Sequence, residues 1–370
     1  MNKISNNKVI ISGGGTGGHV FPAIAIANAL KDIEQSIQIL FVGAKGKLEM
    51  NKVPDAGYNI IGLPIAGFQR RLTIKNITFF FKLFYSIIKS HKILKTFKPG
   101  VVIGVGGYAS GPLLYVASKK KIPVIIQEQN SYAGVTNKIL AKKAEKICVA
   151  YENMEKYFPK DKIILTGNPV RKDLFKEINK DEAIKYFSLD KNKKTLLVLG
   201  GSLGARTINQ SMINDLKIFE QENIQVIWQT GKYFYQNACD EVKSSNYKNV
   251  IVHEFITRMD LVYNIADLII SRAGAGTISE LCLLAKPTIL VPSPNVAENH
   301  QMKNALALAD NNAAIMIKDT DAKTELINKA VEVISNNDML NSLSENIYKM
   351  AIKDSDKLIA NEIFKILNKT

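Results

Sequence analysis

The stretch VIISGGGTGGHVFPAIAIANAL at residues 9–30 decides the fold of this chain. Its apolar run Val9–Ile11 predicts a buried strand, five glycines follow, and a helix is expected from about Pro22 to Asp32. A strand, a glycine loop and a helix in that order predict a parallel sheet. Glycine lets the backbone approach a ligand closely, and the helix N-terminus favours an anionic group there. A tight turn without a ligand is the alternative interpretation of this loop.

The same pattern recurs along the chain and predicts two domains. Further strands are expected at Ile37–Val42, Val101–Val105, Val124–Gln127, Thr195–Leu199, Val226–Gln229, Val250–His253, Leu268–Ser271 and Thr288–Val291. The strand at 195–199 leads into a second glycine loop, GGSLGAR (200–206), which begins about 187 residues after the first. The sequence therefore predicts an α/β chain of two Rossmann-like domains, whose ligands bind beyond the carboxyl ends of the strands, in the cleft between the domains.

The expected domain bounds follow from the composition of the connecting segments. Residues 1–166 form the expected N-terminal domain and residues 167–345 the second, because Gly167 and Pro169 interrupt regular structure between them. A helix expected over Asn341–Leu367 supplies the remaining segment, 346–370, which we expect to pack back on the N-terminal domain.

Charge is distributed unevenly along the 370 residues. The net charge is +15, and residues 1–170 carry all of this excess, with 24 basic and 9 acidic side chains. Apolar residues make up 46% of the chain, which excludes disorder as its main state. No run of ~18 apolar residues is free of charge, which excludes a polytopic membrane protein. No secretory h-region follows Met1, which predicts a cytoplasmic protein.

One segment of the basic half predicts a contact with a membrane surface. From Ala56 to Gln127 there are eleven Lys or Arg and no Asp or Glu. Within it, Lys75, Lys82 and Lys89 recur every seven residues on one face of an expected helix, and Phe80 and Phe84 are among the aromatic residues on the rest. Such a helix is typical of proteins that lie on anionic lipid. A helix packed on the sheet with solvated lysines is the alternative; nucleic acid is disfavoured because no recognition module is present.

The candidate catalytic residue of the first half is His19. It stands at the first turn of the expected helix, where the helix N-terminus disfavours an imidazolium ion and so favours a neutral imidazole able to act as a general base. A structural histidine is the alternative. Two later segments supply candidates for binding an acceptor or a diphosphate: Gly106, Gly107 and Tyr108 in GVGGYASGP (104–112), and Glu128 in QEQN (127–130). A glycine-rich connection without a ligand is the alternative for residues 104–112, and hydrogen bonding within its own loop is the alternative for Glu128.

The second half supplies candidates for binding a nucleotide sugar. Small residues in RAGAGTISE (272–280) bring a helix N-terminus close to a diphosphate, and Glu280 can accept hydrogen bonds from ribose hydroxyls, with a solvated helix glutamate as the alternative. Gln301 can bind a sugar, while Ser202 and Arg171 suit phosphate, with a surface arginine as the alternative for Arg171. Asp319-Thr320-Asp321 and Asp354-Ser355-Asp356 are interpreted as helix caps rather than metal ligands. The second strand ends near Lys45 without the acidic residue that binds the adenosine ribose in dinucleotide-binding domains. This argues against a nicotinamide-dependent oxidoreductase.

These motifs together resemble a known family. GGGTGGHVFPA (13–23), GVGGYASGP, QEQNSYAGVTNK (127–138), TGNPVR (166–171), GGSLGAR, EFI (254–256) and RAGAGTISE occur in this order over nearly the whole chain, which closely resembles the MurG family of N-acetylglucosaminyltransferases. The resemblance implies a GT-B fold, with two parallel sheets facing across the interdomain cleft. It also implies inverting transfer of N-acetylglucosamine from UDP-GlcNAc to the C4 hydroxyl of lipid I, forming lipid II for peptidoglycan, without a metal or cofactor.

The resemblance also assigns roles to individual residues. It implies that His19 is the general base and that Glu280 binds the ribose hydroxyls. The other residues that it implies for UDP-GlcNAc are Thr16, Gly17, Gly18, Asn130, Arg171, Ser202, Ile256, Ala275, Gly276, Thr277, Ile278, Ser279 and Gln301. The implied partners are UDP-GlcNAc, lipid I and the anionic cytoplasmic leaflet of the bacterial membrane, but no nucleic acid. Other proteins of cell-wall synthesis are a further class of partner that it leaves open.

Three positions depart from the family pattern. Gln127 stands where the family often has histidine, His300 stands where glutamine is common, and Gly276 replaces a larger residue. Two other functions are compatible with the same motifs. One is a diacylglycerol glycosyltransferase of the same fold, and the other is a non-catalytic UDP-sugar-binding protein at the membrane.

Overall fold

The computed structural model describes residues 6–67, 74–175, 178–201 and 204–369, apart from the side chains of residues 74–77 and 297. The chain divides into two compact units. The first comprises Met1–Arg171 and Ile352–Thr370, and the second comprises Lys172–Ala351. Both are built from a parallel sheet with helices on its two faces.

The first unit contains seven parallel strands among its described residues, in the spatial order β3-β2-β1-β4-β5-β6-β7. The strands are β1 (Lys8–Ser12), β2 (Gln38–Ala44), β3 (Asn59–Leu63), β4 (Val101–Gly104), β5 (Val124–Glu128), β6 (Lys146–Val149) and β7 (Ile163–Leu165). Its helices up to Arg171 are α1 (Gly17–Ile33), α2 (Glu49–Asp55), α3 (Ile74–Phe97), α4 (Ser110–Lys119) and α5 (Val135–Leu140). Three short 3-10 turns lie at Ala141–Lys143, Met154–Lys156 and Lys160–Lys162.

The strand order reverses next to β1, and this reversal positions the site. β1 lies between β2 and β4, so the loops after β1 and β4 leave the same edge of the sheet side by side. Val9–Ile11 of β1 and Val101–Ile103 of β4 are continuous buried apolar runs, because helices cover both faces of a parallel sheet.

The second unit contains six parallel strands among its described residues, in the order β10-β9-β8-β11-β12-β13. They are β8 (Thr195–Leu199), β9 (Gln225–Gln229), β10 (Val250–His253), β11 (Leu268–Ser271), β12 (Thr288–Leu290) and β13 (Ile315–Met316). The helices are α6 (Lys180–Phe187), α7 (Arg206–Gln221), α8 (Tyr235–Ser244), α9 (Met259–Ile265), α10 (Ala275–Leu283), α11 (His300–Ala309), α12 (Ala322–Ile334) and α13 (Asn337–Lys349). Short 3-10 turns lie at Lys172–Phe175 and Ala297–Asn299.

A last helix, α14 (Ser355–Leu367), belongs to the first unit although it follows the second in the chain. It packs against α1. Ile359, Ile363 and Leu367 are fully buried in the same core cluster as Val9 and Ile26. α14 therefore completes the face of the first sheet that α1 begins.

Several expected elements differ from the structure. α1 begins at Gly17 rather than Pro22, because Thr16 is extended and the following glycines already take up helical geometry. The helix expected over Asn341–Leu367 is two helices, since the chain is interrupted between Lys349 and Ser355. β3, β6, β7 and β13 had no counterpart among the expected strands. The units change at Arg171 and Ile352, a few residues after the bounds drawn at 166 and 345.

Candidate active site

Two glycine-rich loops meet at the carboxyl ends of β1 and β4. Gly14 and Gly15 adopt φ of 148° and 93°, and Gly106 and Gly107 adopt φ of 91° and 78°, a region that side chains disfavour. A Cβ on Gly107 would lie 2.4 Å from the carbonyl oxygen of Gly14. The two loops can therefore approach each other this closely only with glycine at that position.

His19 lies in the first turn of α1 against the second of these loops. A Cβ on Gly106 would lie 3.0 Å from the Nδ1 and Cε1 atoms of its half-buried ring. The Nδ1 atom is 3.2 Å from the side-chain oxygen of Gln129, which follows β5. The structure thus brings together the histidine and the two glycine loops that sequence analysis selected separately.

The buried carboxylate of Glu49 binds the backbone of the first glycine loop. Glu49, at the start of α2, is 1% exposed. Its Oε2 accepts the backbone N–H of Gly15 at 2.9 Å, and its Oε1 accepts that of Ala44 at 2.8 Å. The carboxylate fills the space that a Cβ on Gly14 would need, since its Oε1 is 2.1 Å from that position. Sequence analysis missed this residue, although it is the first acidic residue after the second strand.

The Glu128 carboxylate is likewise buried, and it accepts hydrogen bonds from the loop after β5 and from helix α5. Oε1 accepts the backbone N–H of Asn130 at 3.1 Å, and Oε2 accepts the N–H of Gly134 at 2.9 Å and the side chain of Asn137 at 2.8 Å. These bonds are the ones expected if Glu128 organises the loop, which is the alternative interpretation, and a contact of Glu128 with an acceptor or diphosphate stays a prediction.

The remaining candidates of the first unit lie around these loops. Thr16 and Gly18 are exposed at the start of α1, while Gly17 is half-buried beside the Phe21 ring. The ring of Tyr108 would lie 3.5 Å from a Cβ on Gly15, and burial together with the nearby Glu49 charge raises the pKa of its hydroxyl. Asn130 and Arg171 are half-buried, and the Asn130 amide also donates to Glu128 at 3.3 Å.

In the second unit, the candidates concentrate at the N-terminus of α10. Gly274 precedes the helix, and Ala275, Gly276 and Thr277 form its half-buried first turn, followed by buried Ile278. A Cβ on Gly276 would meet no atom within 4 Å. Ser279 donates its hydroxyl to the Ala275 carbonyl at 3.0 Å. The helix therefore presents small residues and backbone N–H groups at the end of β11.

The Glu280 carboxylate is oriented by a buried tyrosine. The hydroxyl of Tyr263, on α9, donates to Glu280 Oε2 at 2.9 Å, and the tyrosine is only 2% exposed. Such a hydrogen bond restricts the rotation of the carboxylate. Glu280 is consequently a positioned group rather than a freely solvated helix residue, and Tyr263 is a second residue that sequence analysis missed.

An ion pair next to this turn corrects the interpretation of the Asp319 motif. Arg272, directly after β11, forms an ion pair with Asp319 and donates to the Val291 carbonyl at 3.0 Å. Thr207 donates to the other Asp319 oxygen at 2.9 Å. Asp319 is therefore not a helix cap. Neither Asp321 nor Asp354 makes a side-chain capping bond, although each precedes a helix.

Other candidates of the second unit are held by internal hydrogen bonds. Ile256 is buried and its backbone N–H donates to the Gln229 side chain at 2.9 Å. Gln301 accepts the backbone N–H of Ser293 at 2.8 Å, and His300 beside it is half-buried. Ser202 lies outside the described residues. Among the residues that the structure describes, no group of three or more His, Cys, Asp or Glu side chains is arranged to hold a metal ion.

Helix α3 presents an exposed apolar face. The side chains of Phe80, Phe81, Phe84, Tyr85 and Ile88 are 51–73% exposed, and their spacing places them on one side of the helix. The exposed residues His91, Lys92 and Lys95 continue the same side because each lies eleven residues, or about three turns, further along. Such a contiguous exposed apolar surface is typical of an interaction site.

The three lysines that predicted this surface have different surroundings. Lys82 is exposed, whereas Lys89 is half-buried and its amine donates to the Gly62 carbonyl at 2.8 Å, so Lys89 fastens α3 to β3. The side chain of Lys75 lies outside the described residues. Within the described parts of the chain, no helix is long and apolar enough to cross a membrane.

Two parallel-sheet units, each with a glycine loop after its first strand, are the architecture of the GT-B fold. The sequence comparisons place the chain among the glycosyltransferases of this fold. The glycosyltransferase family 28 N-terminal domain matches residues 9–149, and the family 28 C-terminal domain matches residues 195–360. The chain belongs to glycosyltransferase family 28.

Relatives of known name are similar over nearly their whole length. Proteins from Phocaeicola vulgatus and Parabacteroides distasonis are 57% and 55% identical to this chain over 98% of it, covering 97% and 99% of their own lengths. Both are named UDP-N-acetylglucosamine–N-acetylmuramyl-(pentapeptide) pyrophosphoryl-undecaprenol N-acetylglucosamine transferase. The crystal structure of Acinetobacter baumannii MurG matches with a TM-score of 0.79 at 27% identity, covering 97% of this chain and 99% of that one.

Proposed function

We propose that this protein transfers N-acetylglucosamine from UDP-GlcNAc to the C4 hydroxyl of the muramyl sugar in undecaprenyl-linked lipid I, which yields lipid II for peptidoglycan. The observation that carries the proposal is the His19 imidazole, held at the N-terminus of α1 between two glycine loops with its Nδ1 on Gln129. The names of relatives more than 50% identical over nearly the full length support the same reaction.

In the proposed reaction, His19 is the general base. Its neutral ring accepts the proton of the C4 hydroxyl while that oxygen forms a bond to the anomeric carbon of the donor. The bond between this carbon and the UDP phosphate breaks, and UDP leaves with the electron pair. Attack opposite the leaving group inverts the configuration. A positioned base of this kind contributes ~10²–10⁴-fold to the rate.

The second unit is proposed to bind the donor. Glu280, oriented by Tyr263, accepts hydrogen bonds from the ribose hydroxyls. The backbone N–H groups at the start of α10 stabilise the negative charge that develops on the departing diphosphate. Four other residues stay predictions for binding UDP-GlcNAc: Asn130 and Arg171 of the first unit, and Ile256 and Gln301 of the second.

The exposed face of α3 is proposed to rest on the cytoplasmic leaflet of the bacterial membrane, where the lipid-linked acceptor is found. The aromatic side chains at 80, 81 and 84 enter the boundary between headgroups and acyl chains, and Lys82, Lys92 and Lys95 contact anionic headgroups. Each lysine near such a surface contributes ~1 kcal/mol.

Transfer of labelled GlcNAc from UDP-GlcNAc to a lipid I analogue tests the reaction. We expect label in the lipid product with the wild type and a kcat lowered ~10²–10⁴-fold in His19→Ala, with donor binding retained. Full activity of His19→Ala would refute the mechanism. Faster transfer to diacylglycerol than to the lipid I analogue would show that the protein is a diacylglycerol glycosyltransferase. Binding of UDP-GlcNAc without transfer to either acceptor would show that it is a non-catalytic UDP-sugar-binding protein.

Flotation with liposomes tests the membrane surface separately. Replacing Lys82, Lys92 and Lys95 with glutamate should weaken binding to anionic vesicles at least ~10²-fold, since about 3 kcal/mol of attraction is lost. Lys185→Glu/Lys217→Glu/Lys243→Glu, which reverses three exposed charges in the second unit, is the matched control. Equal flotation of the α3 variant and the control would show that this face is merely solvated.

A further inference from the structure

A chain of buried amide side chains lies behind His19. Gln127, Gln129 and Asn168 are each at most 2% exposed, and they come from the end of β5 and the segment after β7. Gln129 contacts His19 at 3.2 Å, Gln127 donates to Asn168 at 3.0 Å, and the two glutamines are hydrogen-bonded to each other. Three primary amides buried side by side must be mutually satisfied, because an unpaired buried amide is destabilising.

Backbone carbonyls can only accept hydrogen bonds, and they determine the direction of each hydrogen bond among these three amide side chains. The Gln129 Nε2 donates to the Val105 carbonyl at 2.6 Å and to the Gln127 Oε1. The Gln127 Nε2 donates to the Asn168 Oδ1, and the Asn168 Nδ2 donates to the Gln129 carbonyl at 3.0 Å. The nitrogen of Gln129 is thereby directed away from His19, and its oxygen faces the imidazole.

An amide oxygen is only an acceptor, so the nitrogen that it contacts must carry the proton. We infer that Gln129, held by Gln127 and Asn168, fixes neutral His19 in the tautomer with hydrogen on Nδ1, which places the basic lone pair on Nε2. The inference deepens the proposed function, because it rests on His19 being the base. Gln129 is a positioning residue, and Gln127 and Asn168 act through it.

None of the three amide side chains that hold His19 changes its charge with pH. Amide side chains do not titrate, whereas a histidine at position 127 would change charge near neutral pH. The orientation of Gln129 is therefore the same across the pH range in which the enzyme works. The protonation of His19 itself then determines the acidic limb of the pH profile.

Nitrogen-15 NMR of histidine-labelled protein reads the tautomer directly, and the chain has only four histidines. His19→Asn assigns the signals of residue 19. In the wild type we expect Nδ1 to carry the proton at a pH where the ring is neutral. A proton on Nε2 in the wild-type ring would overturn the inference, whether or not the protein transfers GlcNAc, which distinguishes this failure from failure of the proposed function.

Two substitutions at Gln129 separate positioning from packing. Gln129→Leu removes the acceptor, so the Nδ1 proton should no longer be enforced and kcat should fall by about 10- to 100-fold, less than the ~10⁴-fold of an enforced wrong tautomer. Gln129→Glu keeps an acceptor oxygen toward Nδ1, although its second oxygen replaces the Nε2 that donates to Val105 and Gln127. It should retain the Nδ1 proton and shift the acidic limb of kcat/KM upward, because a nearby negative charge raises the pKa of a histidine.

The controls address folding and donor binding. Gln38→Leu removes an exposed amide of the same unit and should change neither kcat nor the NMR signals of residue 19. The KM for UDP-GlcNAc should stay within about twofold in all variants, because the chain of amides acts on the base. If Gln129→Leu keeps the Nδ1 proton and wild-type kcat, or if the Leu and Glu variants have the same pH profile, Gln129 does not position His19.

Discussion

Replacing Glu49 tests how the first glycine loop is held in place. Its carboxylate accepts two backbone N–H groups, from Gly15 and Ala44, at 2.9 and 2.8 Å. Hydrogen bonds to a charged group contribute ~1.5–3 kcal/mol each. Glu49→Ala leaves both amides without this acceptor and opens a cavity, so we expect a loss of about 3–5 kcal/mol in the free energy of unfolding. Glu49→Gln keeps one acceptor oxygen and should lose about half as much.

Differential scanning calorimetry of the full chain, with hydrogen exchange to locate the change, measures this effect. For a unit of this size, 1 kcal/mol corresponds to ~2–4 °C, so Glu49→Ala should lower the Tm of the first unit by on the order of 10 °C. Glu152→Ala, which removes an exposed acid of the same unit, should stay within ~0.5 kcal/mol of the wild type. A loss below about 1 kcal/mol in Glu49→Ala would refute the reasoning, because it would mean that the two amides do not depend on the carboxylate.

Three further predictions concern the second unit. Tyr263→Phe removes the hydrogen bond that orients Glu280, and it should raise the KM for UDP-GlcNAc by about 5- to 20-fold with little change in kcat. An unchanged KM in a steady-state assay would contradict the role of the hydroxyl. Gly276→Ala should raise the free energy of unfolding by about 0.5–1 kcal/mol in urea denaturation, because a Cβ there meets open space within a helix, and a loss of stability would contradict this. Burial lowers the pKa of Lys286 to about 8, so the unfolded chain binds more protons between pH 8 and 10.5 and stability should rise by up to about 3 kcal/mol over that range. A Lys286→Met variant should lack this rise in pH-dependent unfolding, and a rise equal to the wild type's would refute the assignment.

The strands that sequence analysis located are those whose local pattern is strong. β1 and β8 each contain a run of at least three consecutive apolar residues shortly before a glycine loop. This local pattern is typical of a buried strand. β3 reads NIIGL, with asparagine and glycine that disfavour strands, and β13 has only two residues. Their strand structure depends on pairing with β2 and β12, which no local pattern reveals.

The candidate site shows the same division between local and long-range information. The glycine loops and His19 were selected from contiguous motifs. Glu49 binds Gly15 across 34 positions of sequence, and Gln129 binds His19 across 110, so neither partner follows from spacing. The single helix expected over Asn341–Leu367 was wrong, although the interpretation of Asp354-Ser355-Asp356 as a cap already indicated a helix start at that point.

The return of α14 to the first unit determines the order in which the molecule can be completed. During synthesis, the ribosome must translate all 180 residues of the second unit before it delivers the helix that covers α1. Until then, the core that Ile359, Ile363 and Leu367 later fill stays open to water on that face. The unit that begins first is therefore finished last, and the time taken to translate the second unit determines how long this apolar face is exposed to other chains.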